Sequence, residues 1–78
     1  MNYEKEFDRM EDKIDTVEYW ASQPNSPEAR SHLHGQYHSA LKLAKVATDE
    51  RIKKGWEDCA EIIRSTGIRL NPNWKPKK

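Results

Sequence analysis

The chain has 78 residues, of which 35% are charged and 35% hydrophobic, and its formal net charge is +1. That length allows one small domain, whose core supplies only a few kcal/mol of net stability unless a metal, a disulfide or a partner chain contributes. The single cysteine, Cys59, excludes an internal disulfide, no apolar run approaches the roughly 18 residues of a membrane span, and the acidic start is unlike a signal peptide, so a cytoplasmic location is expected.

In the first segment Tyr3, Phe7, Met10, Ile14, Val17 and Ala21 recur alternately four and three residues apart, a heptad seam that predicts an amphipathic helix. The like-charge pairs Glu4/Asp8 and Arg9/Lys13 oppose that helix in isolation, so its apolar seam must be buried against something. Charge is unevenly divided: residues 1–28 carry eight acids and three bases, residues 29–78 eleven bases and five acids. Such opposition favours packing of the first segment against the later one and leaves little surplus field to attract nucleic acid.

Gln23-Pro24-Asn25-Ser26-Pro27 ends the first helix near Ser22 and reverses the chain. Ser26 is suited to cap the next helix, Pro27 needs no amide partner, and Glu28 matches the positive end of the dipole. No proline then occurs before Gly67, which is expected to stop the helix as a left-handed cap, with Ile68 folding back on Ile63 in a Schellman motif. The predicted fold is therefore all-α: an antiparallel helical hairpin with a long second helix over a domain spanning 1–67, followed by a basic tail at 68–78, extended or disordered, whose Leu70 and Trp74 could still pack back onto the helices.

A stripe through Leu33, Tyr37, Leu41, Ala44, Thr48, Ile52, Cys59 and Ile63 runs along the long segment, with Trp56 and Ile62 at its edges. At 1.5 Å per residue the two helices would be about 30 and about 60 Å long, leaving the Ile52 to Ile63 stripe uncovered. A homodimer is the expected remedy. The alternative is a three-helix bundle with a break at Ala47-Thr48-Asp49-Glu50, where Thr48 would cap a third helix; the lack of Gly or Pro there favours the continuous helix.

Gly35 and Gly55 inside the long segment each cost about 1 kcal/mol relative to alanine, so close helix approach, or a bend, is expected at both. Leu43, Val46 and Ala47 lie off the main stripe. They predict either a position enclosed by several helices or a docking patch for another protein.

Catalytic and ligand signals are weak. His34 and His38 share a helix face at a spacing that suits zinc, but two ligands are too few and no HExxH or CxxC pattern supplies more. Cys59 sits on the apolar stripe, where a thiol behaves as a small hydrophobe, and Glu57, Asp58 and Glu61 read as a solvated face. No catalytic, metal or cofactor site is assigned. Nucleic acid could be met by Arg51, Lys53 and Lys54 together with Lys75, Lys77 and Lys78 around Trp74. Glu4, Glu6, Asp8, Glu11, Asp12, Asp15 and Glu18 could instead offer negative charge to a basic protein. The expectation is a non-enzymatic interaction or regulatory protein of adaptor or inhibitor type, meeting a protein partner or a second copy through Leu43, Val46, Ala47, Ile52, Trp56 and Ile63.

Overall fold

Three helices make up the computed structural model, which describes residues 3–76: α1 (Tyr3–Ser22), α2 (Pro27–Val46) and α3 (Glu50–Leu70). No strand occurs among the described residues. The heptad seam of α1 faces inward except at Phe7, which is exposed, with Met10, Val17 and Ala21 buried and Tyr3 and Ile14 packed at the margin. The start of α2 follows from its sequence: Ser26 is extended, its Oγ accepts the Ala29 N–H at 3.1 Å, and Pro27 opens the first turn. Between α1 and α2, Trp20 stacks on His32 with ring centroids 4.0 Å apart, and Lys13 Nζ donates to Gln36 Oε1 at 3.3 Å.

The long second helix expected from the sequence is instead divided at Ala47–Asp49. Ala47 (φ −67°, ψ 134°) and Asp49 (φ −92°, ψ 124°) are both extended, in a backbone region open to any L-residue, so the reversal needs neither glycine nor proline. Asp49, one residue beyond the expected Thr48, caps α3, its Oδ1 accepting the N–H groups of Arg51 at 2.9 Å and Ile52 at 3.1 Å. The Ala47 N–H closes α2 onto the Leu43 carbonyl at 3.1 Å.

After this turn α3 runs antiparallel to α2 and in the same direction as α1. Tyr3 meets Asp49 at one end, the Cys59 thiol donates to the Met10 carbonyl at 3.6 Å midway, and Asn71 reaches Asn25 at the other end. Ile52, Trp56 and Ile63 are consequently buried within a single chain. The overhang that called for a homodimer does not exist, because the third helix doubles back and hides its own stripe.

The far end of α3 also departs from expectation. Gly67 has no positive φ and the helix continues to Leu70, so no Schellman stop forms. Asn71 ends it: its N–H donates to the Gly67 carbonyl at 2.8 Å, and its side chain and carbonyl accept the N–H groups of Asn73 at 3.2 Å and Trp74 at 3.0 Å. This tight turn carries Trp74 back over Gly67, where a Cβ would overlap the indole, and edge-on to Tyr37 with ring centroids 6.0 Å apart. Gly67 is thus a seat for an aromatic ring rather than a left-handed cap. Gly55 is likewise a close-approach site, since an added Cβ would lie 2.7 Å from Met10 Cε, whereas Gly35 has nothing within 4 Å.

Candidate functional site

The turn between α2 and α3 borders a groove of about 220 Å³ lined by Glu6, Arg9, Leu43, Val46, Ala47, Thr48, Asp49, Ile52 and Trp56. Helix α2 supplies the apolar wall through its last turns: Leu43 and Ala47 are half-buried, and Val46 is 63% exposed. Helix α3 supplies the floor with Ile52 and Trp56, both buried in the core yet facing the groove. Five of the six contact residues expected from the sequence therefore converge on one surface feature. The sixth, Ile63, is 0% exposed and belongs to the interior. The segment around Val46 is not at the centre of a bundle, as one expectation had it; it forms an open rim.

The polar side of the groove comes from α1 and the turn. Arg9 Nη1 pairs with Glu6 Oε1 at 3.3 Å, and its guanidinium lies 5.9 Å from the centroid of Trp56. Beside them the Tyr3 hydroxyl donates to Asp49 Oδ2 at 2.8 Å while Arg51 covers the Tyr3 ring at 5.0 Å. The Tyr3 hydrogen bond, then the backbone N–H of Ile52, holds the Asp49 carboxyl below its ordinary value, and the same bond raises the Tyr3 hydroxyl. Tyr3, Arg9 and Asp49 were not singled out as contact residues by the sequence, and Glu6 was named only in the acidic row of the first helix. The one available signal was the opposite-charge pair Glu6/Arg9 three residues apart, beside the apolar seam.

The remaining candidates disperse. Arg51 is engaged with Tyr3, Lys54 pairs with Asp58 at 3.4 Å, and Trp74 is enclosed at 4% exposure, its ring unavailable for stacking on a base. Lys77 and Lys78 lie outside the described residues. The rings of His34 and His38 approach to 4.1 Å, but among the described residues no group of three or more His, Cys, Asp or Glu side chains is placed to hold a metal ion. Burial pushes the Cys59 thiol up to about 11, against the opposing pull of Lys13, leaving it protonated and a poor nucleophile at neutral pH. No helix among the described residues is long and apolar enough to cross a membrane. The chain matches no protein-family model, no curated protein and no solved structure.

Proposed function

We propose that this chain is a non-catalytic interaction protein, of adaptor or inhibitor type and cytoplasmic, which holds a protein partner through the groove at the α2–α3 turn. The observation that carries the reading is the pairing of an exposed aliphatic rim at Val46 with a buried indole floor at Trp56. Hot spots of protein interfaces have this form: an apolar anchor from the partner enters a desolvated pocket ringed by polar groups. The volume, about 220 Å³, is below the range of roughly 300–1,000 Å³ typical of small-molecule sites and suits one or two inserted side chains. The Arg9–Glu6 pair and Asp49 supply the polar margin around such an anchor.

A nucleic-acid regulator using Arg51, Lys53, Lys54 and the basic tail draws less support, because Arg51 and Lys54 already have partners and Trp74 is packed away. Titration with single- and double-stranded oligonucleotides at two salt concentrations separates the readings; salt-sensitive binding favours nucleic acid, flat curves the protein partner. The direct test places a photocrosslinker at position 46 in cells and then purifies the captured partner. Binding of that partner should weaken by about tenfold or more in Val46→Lys, a change compatible with a helix C-terminus. Equal binding to the variant, or crosslinking only to a second copy of the chain, would contradict the proposal.

A further inference from the structure

A second groove, of about 290 Å³, lies between α1 and α3 and has no α2 residue in its lining. Its floor is apolar: Phe7, Met10 and Ile14 from α1 face Gly55, Cys59 and Ile62 from α3. Two large side chains at its lip remain open to solvent, Phe7 at 38% and Ile62 at 46%. Gly55 lets Met10 and Phe7 occupy the space a side chain there would need.

The α1 edge of this cleft is acidic. Glu4, Asp8, Glu11, Asp15 and Glu18 follow one another four, three, four and three residues apart, so all five project from one strip of α1. Glu11 lies in the lining of the groove, which fixes that strip as its edge. All five are exposed and none forms an ion pair among the described residues. Of the α1 bases, Arg9 pairs with Glu6 and Lys13 with Gln36 of α2 on the other flank, while Lys5 is exposed beside Glu4 and three residues before Asp8. Repulsion along an acidic row opposes the helix that carries it.

From the apolar floor and this acidic row we infer that the α1–α3 groove docks a basic amphipathic helix of a partner protein. Lying over the cleft, that helix would be the fourth member of a bundle whose other three are α1, α2 and α3. Its apolar residues at i, i+3, i+4 and i+7 would enter between Phe7, Ile14 and Ile62, and its lysines or arginines would meet the α1 carboxylates. The acidic row spans about 21 Å, or four turns, so it discriminates a helix from a single inserted side chain. This surface is distinct from the groove at the α2–α3 turn and does not depend on it.

The probe is a leucine–lysine peptide of about 18 residues, roughly five turns, patterned as an amphipathic helix. A scrambled peptide of the same composition and a leucine–glutamate counterpart serve as controls. Calorimetric titration at low and high salt should give micromolar binding of the patterned lysine peptide, at least about tenfold tighter than either control. Ile62→Gln, a change at an exposed position, should weaken it about tenfold; Glu11→Lys combined with Asp15→Lys should do the same and flatten the salt dependence. Val46→Lys should leave it unchanged, and thermal midpoints confirm that each variant is folded. Equal affinity for the scrambled peptide, indifference to Ile62→Gln, or no binding of the patterned peptide would overturn the inference. So would a self-association of the free chain that Ile62→Gln abolishes, because the groove would then belong to a second copy.

Discussion

At the end where α1 gives way to α2, Trp74 folds across Gly67 and Tyr37 until only 4% of it is exposed, while at the opposite end Val46 keeps 63% of its surface in solvent beside an open groove. Both ends join the same three helices, and both joints are short. The difference lies in what covers them: a tail returning over the first, and over the second, among the described residues, the Tyr3–Asp49 hydrogen bond, Arg51 on the Tyr3 ring and the Arg9–Glu6 pair. A small domain thus covers its apolar surface at one end and leaves some of it uncovered at the other, where a partner can use it.

The largest expected effect falls at the closed end. Trp74→Ala removes a nearly buried indole and should cost about 3–5 kcal/mol in urea unfolding, enough to threaten the fold of so small a domain. Gly67→Ala comes next: the new methyl meets the same ring, and overpacking of about 1–3 kcal/mol outweighs the roughly 1 kcal/mol of helix propensity gained. The sign should reverse once the ring is gone, so Gly67→Ala becomes neutral or stabilising in the Trp74→Ala background. Additive costs in the double variant would refute the seat assigned to Trp74.

Gly35 supplies the contrast. With no neighbour for a Cβ, Gly35→Ala should raise stability by up to about 1 kcal/mol, again by urea unfolding. At the open end the Tyr3–Asp49 bond is separable by pH. The Asp49 carboxyl is depressed from 3.8, so its contribution is present above that value and is lost as pH falls through the lower folded one. Tyr3 is raised from 10.0, so its contribution is present below that pH and is lost as pH climbs through the higher folded value. The difference in thermal midpoint between the wild type and Tyr3→Phe should therefore be full near neutrality and shrink below pH 3.8 and above pH 10.0. A difference constant across pH would mean that the Tyr3 hydroxyl contributes without its bond to the Asp49 carboxylate. Smallest of all, Val46→Lys should change stability by no more than about 0.5 kcal/mol.

Much of the architecture was legible. The seam of Tyr3 to Ala21 and the Ser26-Pro27-Glu28 start fixed α1 and the beginning of α2, because period and capping chemistry are local properties. The turn at Ala47–Asp49 was visible only as an alternative, because two extended residues of negative φ reverse the chain without the Gly or Pro that usually marks a reversal. Gly67 misled for a related reason. Glycine serves both positive φ and close approach, and only the return of Trp74, seven residues on, decides between them. Leu43, Val46 and Ala47 were legible as a patch because they break the stripe. Their neighbours Tyr3, Glu6 and Arg9 come from the far end of the chain, and no local pattern records that meeting.

The claim on which the rest depends is the reversal at Ala47–Asp49, and small-angle X-ray scattering of the chain in dilute solution tests it most directly. The bundle predicts a monomer with a radius of gyration near 12.4 Å and a longest extent near 38 Å, each slightly enlarged by side chains and hydration. A particle extended to about 60 Å or beyond, as an unbroken second helix would require, would contradict it.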